Sequence, residues 1–217
     1  MGGEGVKMLS RNLNMIKSQT FTDFEVIISD NSKNNEILDL CTKNPVYSSL
    51  SIKYIRNGKI GMAQNTNESM RNANGEIIKI LYMDDYFANE NSLQIINNNF
   101  RGSWMVTGCE HFDGDKQYGV HYPKYNKKIL FGFNTIGSPS VLSLKNEGII
   151  FFDENMTWVL DCDYYVRLYK KYGKPTVLNE INVIIGTGKH QMTQILPNFK
   201  KIKEHFRVAF KHWRGLL

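Results

Sequence analysis

The sequence predicts an α/β fold, a mixed and mostly parallel sheet flanked by helices. Short runs rich in β-branched residues alternate with amphipathic stretches of about ten residues, the spacing of βαβ units. The chain has 217 residues, 41% of them hydrophobic, enough to bury one substantial core. No internal repeat or linker divides it, so residues 1–197 are expected to form one domain and residues 198–217 a C-terminal helix.

Val6, Leu9, Leu13 and Ile16 recur at helical spacing, and FEVIIS (24–29) then reads as a buried strand. Residues 34–43 predict a short helix that ends before Pro45, and SIKYIR (51–56) a strand. A helix over 62–73 follows, despite Asn65, Asn67 and Asn72 in its interior. EIIKIL (76–81) is the next strand, 93–100 a helix, and SWMVTGC (103–109) a further strand. Residues 110–140, rich in Gly, Tyr, Lys and Asn, break the rhythm as a long loop of the kind that carries function. In it and beside it, Trp104, Tyr118, Tyr122 and Tyr125 are available either to stack on a ring of a ligand or simply to pack. Beyond lie a short strand at 141–144, a helix at 158–172, a strand at 176–185 and a last helix after Pro197.

Composition excludes several classes. No apolar run reaches the roughly 20 residues of a membrane span, and no secretory signal opens the chain. Cys41, Cys109 and Cys162 have no CxxC spacing, so reduced thiols in a cytosolic protein are expected rather than a zinc site. The net charge of +6 gathers on the last segment, which does not suit a nucleic-acid groove lined with stacking aromatics.

The chemistry-bearing residues stand at the ends of predicted elements. Asp30 follows FEVIIS, and Asp84 and Asp85 follow EIIKILYM, both where ligands collect in open α/β sheets. Adjacent carboxylates past a strand suit magnesium or manganese, and they also suit a capped turn. Asp161 opens the helix DCDYYVRLYKKYG, where it is either a helix cap or free to face a site. Asp163 and Arg167, four apart, read as an ordinary surface ion pair.

Together these segments resemble the family 2 glycosyltransferases of the GT-A fold. The match runs through LNMIKSQTFTDFEVIISDNS (13–32), GMAQNTNESMRNANGEIIKILYMDD (61–85), GSPSVLSL (137–144) and FFDENMTWVLDCDYYVRL (151–168). The resemblance implies a UDP-sugar donor whose uracil is bound by Asp30, with Asn57, Gly61 and Asn65 also on the nucleotide side. It implies that Asp84 approaches the ribose or sugar and that Asp85, with Asp84, holds a divalent Mn or Mg bridging the diphosphate. Asp161 would be the general base of an inverting transfer to a glycan or lipid-linked glycan, and His190 would approach the pyrophosphate or the metal. In the family a strand precedes the first helix; this sequence enters the helix almost at once. Gln64 stands where the family commonly has Arg, and Tyr82 where its acidic motif often begins, which implies weak donor affinity. A nucleotidyltransferase or a non-catalytic nucleotide- or carbohydrate-binding module is the alternative.

Phe199, Ile202, Phe206, Phe210, Trp213 and Leu217 recur every three or four residues among lysines and arginines. Such a helix either lies on an anionic membrane surface, as a peripheral contact, or covers the domain with its apolar stripe and leaves the basic face to solvent.

Overall fold

The structure is a computed structural model of the chain, and it describes residues 2–188 and 191–213. Its elements run α1 (Gly2–Lys17), β1 (Val26–Asp30), α2 (Glu36–Lys43), β2 (Ile52–Arg56), α3 (Met62–Arg71), β3 (Ile77–Lys79), β4 (Tyr86–Phe87) and α4 (Ser92–Asn99). They continue β5 (Trp104–Phe112), β6 (Gln117–His121), β7 (Leu142–Lys145), α5 (Leu160–Tyr172), β8 (Thr176–Gly186), α6 (Met192–Ile195) and α7 (Asn198–Trp213). No helix among the described residues is long and apolar enough to cross a membrane.

The strands form two sheets. β1 pairs with β2 in parallel, and a second sheet runs β3-β7-β5-β8-β4, with β6 also on β5. The fold is the expected mixed sheet flanked by helices, with a smaller parallel share than the βαβ rhythm predicts. Besides β1–β2, only β5–β8 is parallel among the described pairs. The pairs β3–β7, β5–β7, β4–β8 and β5–β6 are antiparallel. The reason lies in the segment 110–140. It is not a plain loop, because β5 runs on to Phe112 and turns back as β6. The chain then returns through the 3-10 turns Lys127–Phe131 and Pro139–Val141 into β7, with no crossover helix to enforce a parallel return. No strand among the described residues bridges β1 and β3, where the resemblance expects one continuous sheet.

β5 is the central strand and shows why burial on both faces yields an unbroken apolar run. Trp104 and Val106 turn toward one core with Ile80, Leu142, Tyr165 and Leu168, while Met105 turns to the other face with Phe87 and Ile96. Trp104 stacks on Tyr165 with ring centroids 6.2 Å apart and donates its indole N–H to the Gly173 carbonyl at 3.1 Å. Tyr125 stacks on Tyr169 at 4.1 Å. These two aromatics are therefore packing residues; of the four, Tyr118 and Tyr122 are the exposed ones. A smaller core, with Leu9, Leu13, Ile37 and Leu40, joins α1 and α2 to the β1–β2 sheet.

The Asp163–Arg167 pair is not a surface pair. Asp163 is wholly buried and meets two cations and a histidine: Arg167 Nε at 2.7 Å, Lys211 Nζ at 2.8 Å and His212 Nε2 at 2.9 Å. Burial pushes its carboxyl up, but the hydrogen bond from His212 and the charges of Arg167 and Lys211 win, and its pKa falls far below the ordinary range. The two further partners, Lys211 and His212, come from α7, 48 and 49 residues away in sequence, which is why local spacing misreads the pair. All three cysteines are free thiols, with Cys109 and Cys162 buried.

Candidate active site

Two acidic centres meet on the segment 134–138. Asp161, in the first turn of α5, accepts the Asn134 side-chain amide at 2.6 Å and the Cys162 backbone N–H at 2.7 Å. The same Asn134 amide donates to the Gly137 carbonyl at 2.8 Å, and its oxygen accepts the N–H groups of Ile136 and Gly137 at 2.9 Å. One residue on, the Ser138 hydroxyl donates to Asp85 at 3.3 Å. Tyr165, from α5, clamps this turn by donating to the carbonyls of Gly137 and Ser138, both at 3.2 Å. Tyr82 senses the convergence. Burial raises its hydroxyl first, and the charges of Asp161, Asp85 and Asp84 each add to the rise.

Both centres are tuned upward. Burial lifts the Asp161 carboxyl to about 6, against the opposing hydrogen bonds from Cys162 and Asn134. Burial, then repulsion from Asp84, lifts Asp85 to about 7. Lys79 lies nearby, its ammonium donating to the Ser140 carbonyl, and burial lowers its pKa to about 7 although Asp85 opposes this. Groups whose environments move them toward neutrality are suited to proton transfer at physiological pH.

The end of β8 fixes the acidic turn. The Gly186 N–H donates to Asp85 Oδ1 at 2.9 Å, and a Cβ on Gly186 would fall on the Asp84 carbonyl oxygen, well inside contact distance. Gly186→Ala is therefore expected to displace the turn and to cost about 1–3 kcal/mol of stability. Urea unfolding measures this; a loss below about 0.5 kcal/mol would show that the approach is not tight. Asp84, Gly186 and Thr187 line a cavity of about 390 Å³ together with Arg11, Phe112 and Asp113. Arg11 donates to the Asp84 carbonyl at 2.5 Å and lies 4.2 Å from the Tyr86 ring centroid, placing a positive charge beside the acidic turn. A larger open groove of about 610 Å³ between α1 and α2 contains none of these acidic residues.

Asp30 stands at the end of β1, in the other sheet. Its carboxylate accepts Tyr54 Oη at 2.7 Å and the Ser32 N–H at 2.8 Å, with Arg56 at 3.2 Å. Burial raises its pKa, and these hydrogen bonds with the Arg56 charge outweigh it, so Asp30 stays ionised below the ordinary range. Asn57 and Asn65 brace this strand end. Asn65 accepts the Ser29 hydroxyl at 2.7 Å and returns its amide to the Ser29 carbonyl at 2.8 Å, while Asn57 donates to Asn65 at 3.2 Å. Gly61 caps α3 at φ 143°, a conformation that favours glycine. Gln64 donates its amide to the Glu154 carbonyl at 2.8 Å, and its side chain lies against Gly61. His190 lies outside the described residues.

Asp84 and Asp85 offer hard oxygen donors, and their mutual repulsion is what a divalent cation relieves. No group of three or more metal-ligating side chains gathers among the described residues. A cation held here would draw the rest of its shell from diphosphate oxygens and water, the usual habit of magnesium. Sequence reasoning missed Arg11, Asn134, Ser138 and Gly186. Of these only Gly186, a glycine closing an apolar strand, carries a signal in the sequence itself.

The family model for glycosyl transferase family 2 matches residues 4–138, more than half of the chain. The chain belongs to glycosyl transferase family 2. The matched stretch of this family 2 chain contains Asp30, Asn57, Gly61, Asn65, Asp84 and Asp85; Asp161 lies beyond it. Its fold is similar to that of S. aureus TarS residues 1–349 in complex with UDP-GlcNAc, with a TM-score of 0.74 and 17% identity over 94% of this chain and 62% of that one. It is also similar to the mannosyltransferase PcManGT from Pyrobaculum calidifontis in complex with GDP-Man and Mn2+, with a TM-score of 0.63 and 16% identity over 95% of this chain and 61% of that one. The chain thus spans about three fifths of the length of these solved structures. No curated protein matches it.

Proposed function

We propose that this family 2 chain transfers a sugar from a UDP-sugar to an acceptor hydroxyl with inversion, assisted by a divalent cation. The observation that carries the reading is the turn 134–138, which ties a carboxylate tuned to about 6 on α5 to a second acidic pair at the end of the cavity. The complexes of the structural neighbours with UDP-GlcNAc and with GDP-Man and Mn2+ support the donor class and the cation.

In this reading Asp30 accepts a hydrogen bond from the uracil ring, while Asn57, Gly61 and Asn65 hold the strand end that presents it. Asp84 and Asp85 hold the cation, which supplies Lewis-acid stabilisation of the departing diphosphate. Arg11 adds positive charge on the cavity wall. Asp161 removes the proton of the acceptor hydroxyl as its oxygen bonds to the anomeric carbon. The bond from that carbon to the diphosphate oxygen breaks on the opposite side, which inverts the configuration and needs no covalent enzyme intermediate. Asn134 keeps the Asp161 carboxylate oriented throughout. His190 is proposed to approach the pyrophosphate, and the acceptor to be a glycan or lipid-linked glycan.

A base must be deprotonated to work, so kcat/KM is expected to fall about tenfold per pH unit below about 6 and to level off above it. The test is a pH profile of UDP release from a panel of UDP-sugars at saturating Mn2+. A flat profile from about pH 5 to 8 would contradict a base with a pKa near 6. Nucleotide binding with no turnover on any donor or acceptor would favour the non-catalytic module.

A further inference from the structure

α7 is docked the wrong way round for a helix that completes a core. Its polar side is the one that grips the domain. Glu204 accepts the backbone N–H groups of Thr157, Trp158 and Val159 at 2.7–3.2 Å, just ahead of α5. His205 binds the Phe131 carbonyl at 2.8 Å, and Lys211 and His212 reach the buried Asp163. Val208 is the fully buried apolar residue of this side. The apolar stripe points outward instead: Phe199 is 67% exposed, Ile202 56% and Phe206 72%. The structure therefore overturns the expectation that the stripe covers the domain. Ile195, just before α7, and Phe133, whose ring lies 5.4 Å from that of His205, are exposed beside it.

The charge around this stripe has one sign. Lys200 and Lys203 are exposed on α7 and have no ion-pair partner among the described residues. Lys127 and Lys128 are exposed on the 3-10 turn against which α7 packs. Glu204, the acid of the helix, faces inward and is consumed by three N–H groups. An aromatic and aliphatic ridge rimmed by lysines matches the boundary between the acyl chains and anionic headgroups of a bilayer.

We propose that the outward face of α7, built on Phe199, Ile202 and Phe206 and flanked by Lys200 and Lys203, seats this chain on an anionic membrane surface. The aromatic side chains enter the headgroup–acyl boundary while the lysines meet phosphate groups, and the helix lies in the membrane plane without crossing it. This inference stands apart from the transferase reading, since it uses none of the residues assigned to donor or acceptor.

The test is vesicle co-sedimentation of the full chain with phosphatidylcholine vesicles, with and without 30 mol% phosphatidylglycerol (roughly the anionic range in which polybasic surfaces bind). Binding is expected to the anionic vesicles and to weaken with salt. Ile202→Ser with Phe206→Ser should reduce it by about tenfold or more, and Lys200→Glu with Lys203→Glu should remove the preference for anionic lipid. These positions are exposed, so circular dichroism and thermal melting of the variants should match the parent. Absence of binding to anionic vesicles would overturn the proposal, as would binding that Ile202→Ser with Phe206→Ser leaves unchanged. A concentration-dependent dimer that the same pair of substitutions dissociates, without vesicle binding, would assign the face to a second copy instead.

Discussion

Asp161→Asn is expected to lower the rate of sugar transfer by about 10²–10⁴-fold, the usual contribution of a positioned general base. UDP affinity should stay within about twofold, because in the proposed reading Asp161 meets the acceptor hydroxyl and not the nucleotide. The amide keeps the size of the carboxylate and can still accept the Cys162 N–H, so the fold is preserved. Its oxygen cannot take a proton, and its NH2 group replaces the oxygen that accepts the Asn134 amide. Asn134→Ala should act on the same step more mildly, since it loosens the carboxylate without removing it. A variant at position 161 that retained most of its transfer rate would move the base elsewhere.

Asp163→Ala is expected to have the largest effect on stability, about 3–5 kcal/mol, because it strands Arg167, Lys211 and His212 around a buried site with no anion. Thermal melting should show a Tm lower by roughly 2–4 °C for each kcal/mol lost in a chain of this size. Lys211→Ala is the comparison: this side chain is about a third exposed and also serves Asp153, so its loss should cost only about 1 kcal/mol. The pH dependence follows from the direction of the shift. The folded Asp163 carboxyl is held below its ordinary value of 3.8, so the stability it gives is complete above that value and is lost as pH falls through the folded one. The gap between parent and variant should therefore be full at neutral pH and shrink below about pH 4. A variant as stable as the parent at neutral pH would mean that Arg167, Lys211 and His212 find water or other partners.

The long periodic elements were legible in the sequence, because their signal is local. α1, α3, α5 and α7, and the strands β1, β5 and β8, fall where their apolar spacing puts them, to within a few residues. β4 is two residues long and β6 is almost wholly exposed, so neither carries the alternation that marks a half-buried strand; both exist through pairing with β8 and β5. The candidate acids Asp84, Asp85 and Asp161 were legible as residues at the ends of elements. Their connection was not, since it runs through Asn134 and Ser138 in a segment with no periodic pattern. The same limit explains the two misread charges. Asp163 looked like half of a surface pair because the partners that bury it come from α7, and the outward turn of α7 is set by its polar side, on which Glu204 binds N–H groups more than forty residues earlier and His212 reaches Asp163.

The central claim is that one nucleotide-sugar site is shared by Asp30, the Asp84–Asp85 pair and Asp161. Calorimetric titration with UDP in the presence of Mn2+ tests it most directly, on the parent chain and on three variants. The account predicts saturable binding to the parent, loss of about tenfold or more in Asp30→Ala and in Asp84→Ala with Asp85→Ala, and parent-like affinity in Asp161→Asn. Folded parent protein that takes up no UDP, or that binds it equally well without Asp30 and without the acidic pair, would contradict it.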